Sequence, residues 1–136
     1  MRLLLLSLAA FMTFVLPANA WEVKYPEAKI YAVEVWAEWC PNCKILDPQI
    51  EKAKLDGALA DKNILFVRMD FTDKTTINQS KMLAKSLGLE EFLKANGAGT
   101  GYLALVDVTT KKEVARFTRD STAQDITDGI NQHLTP

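Results

Sequence analysis

Residues 30–55 read IYAVEVWAEWCPNCKILDPQIEKAKL and contain both cysteines of the chain. The first part, Ile30–Trp36, is rich in strand-forming residues and largely apolar, which predicts a buried strand interrupted by one carboxylate, Glu34. From Pro41 onward apolar residues recur every three or four positions, which predicts a helix. Pro41 suits the first turn of that helix, and Pro48 is expected to kink it. The two cysteines therefore fall where a strand passes into a helix.

Cys40 and Cys43 are separated by two residues, a spacing that four kinds of site use. A c-type haem site needs a histidine directly after the second cysteine, where this chain has Lys44. A structural zinc site needs two more soft ligands, and the chain offers no third cysteine and one histidine, His133. A structural disulfide across so short a loop removes little entropy from the unfolded chain. We therefore expect a redox pair without metal or other cofactor, and an inert bridge is the alternative.

The position of the pair predicts different roles for its two sulfurs. Cys40 faces the positive N-terminal end of the helix, which stabilises a thiolate and favours attack on a disulfide. Cys43, one turn into the helix, is expected to be the shielded, resolving thiol. Glu34 lies in an apolar strand, so its pKa should be raised, and it can take a proton from Cys43. The alternative for Glu34 is a strand-end residue that faces water.

The rest of the chain predicts a single α/β domain. Further strands are predicted at residues 63–69, 102–106 and 113–118. Further helices are predicted to begin at Thr76 or Asn78, to occupy residues 89–95, and to follow a capping box of Ser121 and Gln124. The order β-α-β-α-β-β-α predicts a central mixed sheet flanked by helices.

The first 20 residues have the pattern of a secretory signal peptide. Arg2 is followed by an apolar run, Leu3–Leu16, and then by Ala18-Asn19-Ala20. The run is shorter than the roughly 20 residues that a membrane-spanning helix needs. We therefore expect cleavage after Ala20, with an uncleaved membrane anchor as the alternative. Residues 21–136 then form the folded domain.

The charge balance limits the kinds of partner. Residues 21–136 carry 15 basic and 17 acidic side chains, because Arg2, one of the chain's 16 basic residues, lies in the signal peptide. A net charge of −2 without blocks of like charge argues against nucleic acid or an anionic membrane surface as partner. Contact with a membrane is expected only through the signal peptide, if that segment stays attached.

The segment Trp36-Ala37-Glu38-Trp39-Cys40-Pro41-Asn42-Cys43-Lys44 resembles the active-site segment of the thioredoxin superfamily and differs mainly between the cysteines. Glu34 falls where that family has a buried acid that exchanges protons with the resolving cysteine. Pro48 falls where the family's active-site helix is kinked, and Arg68 where many members have a lysine beside the acid. The resemblance extends over residues 22–135 and implies a thioredoxin-like fold.

One position departs from the family pattern. The family has a cis-proline facing the dithiol, and Gly101 falls on that position because residues 102–106 align with the strand that follows. A cis bond before glycine costs roughly 2.5–4 kcal/mol, so a trans and more mobile loop is expected. Residues 89–99, just before it, have no counterpart in the plain family pattern. The resemblance implies a substrate-binding rim made of Trp39, Pro41, Asn42, Thr100 and Gly101.

The resemblance implies a thiol–disulfide oxidoreductase that acts on protein disulfides in an oxidising compartment, such as a bacterial periplasm. Residues 68–87 are similar to the periplasmic thioredoxin-like domains of bacterial transmembrane thiol reductases. A Glu34 base and the lack of histidine between the cysteines favour a reductant or isomerase over a strong oxidant. A reductant outside the cytoplasm needs electrons from a membrane partner. The alternative is a non-catalytic thioredoxin-like module that holds a peptide or a soft metal ion, which the missing proline favours.

Overall fold

The computed structural model describes residues 27–97 and 99–134. The predicted signal peptide, residues 1–20, lies outside them. Within the described part, the strands are β1 (Ile30–Trp36), β2 (Ile64–Asp70), β3 (Tyr102–Asp107) and β4 (Glu113–Phe117). The α-helices are α1 (Pro41–Leu55), α2 (Lys74–Leu87), α3 (Glu90–Asn96) and α4 (Ala123–Leu134), and a short 3₁₀ helix spans Gly57–Leu59. The predicted order of strands and helices is confirmed.

The strands form one mixed sheet in the order β2-β1-β3-β4. β1 runs parallel to β2 and antiparallel to β3, and β3 runs antiparallel to β4. The strand that leads to the cysteines is therefore central, as its apolar sequence predicted. In this register Glu34 lies beside Arg68 of β2 on one side and Leu103 of β3 on the other.

A hydrophobic core covers each face of the sheet, because successive strand residues point to opposite faces. On one face Ala32 and Leu105 pack with Leu46 of α1 and Ile126 of α4. On the other face Val33, Val35 and Ala104 pack with Ala84 of α2 and Phe92 of α3. Glu34 shares the strand parity of Ala32, so its side chain lies on the face that α1 covers. This places the carboxylate on the same side of the sheet as the helix that carries Cys43.

The predicted start of α2 at Thr76 or Asn78 is wrong. The cap is Asp73, whose Oδ1 accepts the backbone N–H groups of Thr75 at 2.7 Å and of Thr76 at 3.0 Å. The hydroxyl of Thr76 accepts the N–H of Asp73 at 3.0 Å, which completes a capping box. Aspartate is among the best N-cap residues, and here it makes the helix begin several residues early.

The predicted capping box of α4 is wrong by one residue. Thr122, and not Ser121, accepts the N–H of Asp125 at 3.2 Å, and Asp125 accepts the N–H of Thr122 at 2.8 Å. Ser121 instead accepts the N–H of Thr118 at 3.1 Å, within the turn before the helix. Both Ser121 with Gln124 and Thr122 with Asp125 fit a reciprocal cap, and the turn at Thr118 decides between them.

In residues 27–97 and 99–134, no helix combines the length and apolar character needed to cross a membrane. The same residues contain no cluster of three or more His, Cys, Asp or Glu side chains suited to hold a metal ion.

Candidate functional site

The cysteines lie at the junction of β1 and α1, where they form a disulfide with their Cα atoms 5.3 Å apart. Cys40 is the N-cap of α1, and its Sγ accepts the backbone N–H of Cys43 at 3.2 Å. Pro41 is the first helical residue, where its missing N–H costs nothing. The first sulfur therefore lies at the positive end of the helix, where the helix dipole and a backbone N–H favour a thiolate.

Both cysteines are buried in the disulfide form. Cys40 is 4% exposed and Cys43 is 2% exposed, and they cluster with Ala37 beneath Trp36 and Phe71. The shielding of Cys43 is as predicted. The expected accessibility of Cys40 is not found here.

The backbone of Gly101 lies against the disulfide and contributes to the burial of Cys40. A Cβ atom added to Gly101 would come 3.2 Å from Cys40 Sγ and 2.9 Å from the Cβ of Asn42. Gly101 has φ +90°, in the region that favours glycine. The described residues contain no cis peptide bond, so the predicted trans bond at Gly101 is confirmed.

Gly101 is also tied to the central strand. Its N–H donates to the carbonyl oxygen of Val35 at 2.8 Å, and Cys43 Sγ lies 4.0 Å from the same oxygen. Gly101 is buried, which differs from the mobile position that we expected. The hydrogen bond replaces the fixed backbone that a proline would supply.

The other predicted rim residues surround the disulfide. Trp39 is 60% exposed, Pro41 and Asn42 are exposed, and Thr100, next to Gly101, is half-buried. The structure thus brings these residues together, and binding of substrate to them stays a prediction.

Thr72, which follows β2, is a residue of this rim that the sequence did not reveal. Its carbonyl oxygen accepts the indole N–H of Trp39 at 3.2 Å, and its hydroxyl accepts the N–H of Glu38 at 3.0 Å. These bonds fix the orientation of an exposed aromatic ring beside the disulfide. No local pattern connects residues so far apart in the sequence.

Glu34 is 4% exposed, and burial raises its pKa above the ordinary value of 4.5. The hydrogen bond from Arg68 Nε to Glu34 Oε2, at 2.7 Å, acts in the opposite direction. The predicted burial and raised pKa are therefore confirmed, and the alternative of a water-facing strand end is wrong. Proton exchange between Glu34 and Cys43 stays a prediction.

Arg68 connects Glu34 to a second carboxylate. Its Nη2 forms an ion pair with Oδ1 of Asp47, on α1, and its guanidinium carbon lies 5.3 Å from the ring centroid of Trp36. Asp47 was not singled out from the sequence, although it stands four residues after Cys43, a spacing that places both on one face of a helix. The pairing itself depends on tertiary structure, because it joins a helix to a neighbouring strand.

A cavity of about 130 Å³ adjoins Glu34 between α1 and the sheet. It is lined by Ala32, Glu34, Ile50, Lys54, Phe66, Val67 and Arg68. A water molecule occupies roughly 30 Å³ in the liquid, so the cavity has room for water next to the carboxylate. The buried acid thus has space for a route by which protons pass to solvent.

The fold and the disulfide together define a thioredoxin-like protein. The family model for thioredoxin matches residues 13–86, more than half of the chain, and the chain belongs to this family. The match ends before the loop that contains Gly101. Family membership and the Cys40–Cys43 pair together support a redox role. No curated protein matches the sequence.

Solved structures show the same fold at low sequence identity. The thioredoxin domain of a thiol-disulfide oxidoreductase from Bacteroides vulgatus is 18% identical, with a TM-score of 0.53 over 80% of this chain and 81% of that one. StoA from Bacillus subtilis is 14% identical, with a TM-score of 0.52 over 76% of this chain and 84% of that one. A thioredoxin from Malassezia sympodialis is 19% identical, with a TM-score of 0.51 over 81% of each chain.

Proposed function

We propose that this protein is an exported thiol–disulfide oxidoreductase that exchanges the Cys40–Cys43 disulfide with disulfides of partner proteins. The observation that carries the proposal is the placement of the disulfide. It lies at the N-terminus of α1, beneath the Gly101 backbone and beside an exposed Trp39, in a thioredoxin fold. This arrangement combines a helix position that stabilises a thiolate with an exposed aromatic side chain on which a partner can dock.

In the reduced protein, the thiolate of Cys40 attacks one sulfur of a partner disulfide. A bond forms between Cys40 Sγ and that sulfur, and the partner's own S–S bond breaks. The second partner sulfur leaves as a thiolate and takes a proton from water. The N-terminus of α1 stabilises the attacking thiolate before this step.

In the second step Cys43 resolves the mixed disulfide. Its thiol gives a proton to the ionised carboxylate of Glu34 and attacks Cys40 Sγ. The mixed disulfide breaks, and the remaining partner sulfur leaves as a thiolate. Two electrons have then passed to the partner, and the Cys40–Cys43 disulfide is restored. Glu34 releases its proton to water through the adjoining cavity.

Two features support reduction or isomerisation as the direction of exchange. Glu34 is a buried base on the side of the resolving thiol, and no histidine stands between the cysteines to stabilise the reduced form further. A reductant outside the cytoplasm needs a thiol donor to restore its dithiol, and we propose that a membrane protein supplies these electrons.

The substrate is a protein disulfide that docks on the rim of Trp39, Pro41, Asn42, Thr100 and Gly101. Trp39 offers apolar area at low entropic cost, because Thr72 already holds its indole. A partner chain that approaches Cys40 must pass beside Gly101, whose N–H is engaged with Val35. The exposed rim fits a polypeptide better than a small thiol.

The midpoint potential of the pair, measured together with insulin reduction, tests the activity and its direction. We expect accelerated reduction of insulin and a potential closer to about −270 mV, typical of thioredoxin, than to about −120 mV, typical of a strong oxidant. A chain that fails to accelerate insulin reduction over a dithiol background would instead be a binding module.

Export is tested separately by expression of the full chain in a Gram-negative host. We expect a periplasmic protein whose N-terminal residue is Trp21. A protein that stays with the membrane and retains residues 1–20 would instead be anchored by this segment.

A further inference from the structure

The guanidinium of Arg68 is shared between two carboxylates through different nitrogens. Nε donates to Glu34 at 2.7 Å, while Nη2 is engaged by Asp47. An arginine that meets a single carboxylate commonly binds it through two parallel N–H groups, which is the stronger arrangement. Here Asp47 occupies the nitrogen that a two-pronged contact with Glu34 would use.

Arg68 has a second support that does not depend on Asp47. The guanidinium lies over the ring of Trp36 at 5.3 Å, and its own strand fixes its backbone beside Glu34. Without Asp47, the guanidinium would therefore remain near Glu34 with Nη2 free. The freed nitrogen would then turn to the remaining carboxylate.

Resting on the proposed function, we propose that Asp47 is a positioning residue for proton transfer. By holding Nη2 of Arg68, it limits Arg68 to one hydrogen bond with Glu34 and leaves that carboxylate basic enough to accept the proton of Cys43. A carboxylate that receives two charge-assisted bonds holds its ionised form more firmly and is a weaker base.

The charged groups around Glu34 determine the direction in which its pKa should move. Arg68 faces it from β2, and Asp47 and Lys54 act on it from α1, while the β3 neighbour is the uncharged Leu103. Lys54 is already paired with Glu51 at 2.7 Å. The negative charge of Asp47 also raises the pKa of Glu34 directly. Loss of that charge and release of Nη2 from Asp47 would therefore both lower the pKa of Glu34.

The test is titration of the Glu34 carboxyl group by carbon-13 NMR in the oxidised protein, with the Glu34→Gln protein identifying the signal. We expect Asp47→Ala, which leaves no acceptor for Nη2, to lower the pKa of Glu34 and Arg68→Gln to raise it. Asp47→Glu keeps a carboxylate for Nη2 and should restore the wild-type titration. The matched control is Glu91→Gln, which removes an ion-paired carboxylate from α3, on the other face of the sheet, and should leave the titration unchanged.

Asp47→Ala in the Arg68→Gln background separates positioning from simple charge. If Asp47 acts through Arg68, its loss there has a much smaller effect than in the wild type. An equal effect in both backgrounds, an unchanged titration in Asp47→Ala, or a shift to higher pH would each overturn the inference.

The pH dependence of mixed-disulfide resolution gives the matching kinetic readout. In Asp47→Ala the acid limb should move to lower pH, and the plateau rate should fall several-fold because the base is weaker. The NMR titration needs no turnover. A wild-type protein that exchanges no disulfide would refute the proposed function, while the titration would still show whether Asp47 controls the basicity of Glu34 through Arg68.

Discussion

Gly101 lies so close to Cys40 that a methyl group added to it would come within 3.2 Å of the sulfur. The same group would come 2.9 Å from the Cβ of Asn42, closer than such atoms approach in proteins. The φ of +90° adds a conformational reason, because side chains with a Cβ rarely adopt it. Glycine at this position therefore lets the loop and the disulfide approach each other.

Gly101→Ala should lower the free energy of unfolding by about 1–3 kcal/mol, because it combines an unfavourable φ with a close contact. The matched control is Gly57→Ala, at a position where an added Cβ meets no atom within 4 Å. The control should change stability by less than about 0.5 kcal/mol. Urea unfolding of both proteins measures the difference, and equal effects would show that the contact with the disulfide is unimportant.

Gly101→Pro should destabilise the protein by a few kcal/mol or more. Proline fixes φ near −65°, whereas Gly101 has φ +90°, and proline would remove the N–H that binds Val35 at 2.8 Å. Thermal unfolding measures the loss. A stable Gly101→Pro protein with faster exchange on a peptide disulfide would mean that the loop accepts the family's backbone.

The sequence predicted those parts of the site that depend on local pattern. A carboxylate in an apolar run was expected to be buried, and Glu34 is buried. A proline directly after Cys40 marked the first turn of a helix, and Cys40 is its cap. Contacts between distant segments could not be predicted, since nothing in the local sequence joins Thr72 to Trp39 or Asp47 to Arg68.

Gly101 shows both what the sequence predicts and what it does not. Alignment of the following strand placed it opposite the cysteines, which the structure confirms. The sequence did not show that its N–H would bind Val35, so the loop was expected to be mobile. The predicted starts of α2 and α4 were wrong for a different reason. Several neighbouring polar residues compete for each cap, and tertiary turns decide among them.

Glu34→Gln should slow the resolution of the mixed disulfide by about 10²-fold, while its formation changes little. The amide has similar size but cannot take the proton of Cys43. Rapid acid quenching followed by mass spectrometry separates the two steps. Glu91→Gln, which changes an exposed, ion-paired carboxylate on α3, serves as the control. If both steps stayed at the wild-type rate in Glu34→Gln, Glu34 would have a structural role only.

The raised pKa of Glu34 makes a prediction about stability and pH. Burial holds the pKa of Glu34 in the folded protein above its ordinary value of 4.5, so the folded state keeps this proton to a higher pH than the unfolded chain does. The resulting stabilisation is complete below pH 4.5 and is lost as the pH rises through the folded-state value. Wild type should therefore lose stability relative to Glu34→Gln as the pH rises.

Urea midpoints of the two proteins, measured from pH 4 to pH 8, test this difference. Other carboxyl groups such as Asp107 and Asp125, whose pKa values are lowered by hydrogen bonds, contribute equally to both proteins and cancel. A difference that is flat, or that grows in favour of wild type with rising pH, would show that the ionised carboxylate is not penalised by burial.

The assignment of Cys40 as the nucleophile is tested most directly by trapping. Reduced Cys43→Ser protein, mixed with insulin, should form a stable mixed disulfide through Cys40, because the resolving thiol is missing. Reduced Cys40→Ser protein should form little adduct, since Cys43 lies one turn inside α1 and lacks the N-cap position that stabilises a thiolate at Cys40. Mass spectrometry of the two mixtures measures both adducts. An adduct with Cys40→Ser in place of Cys43→Ser, or none with either, would contradict exchange through Cys40.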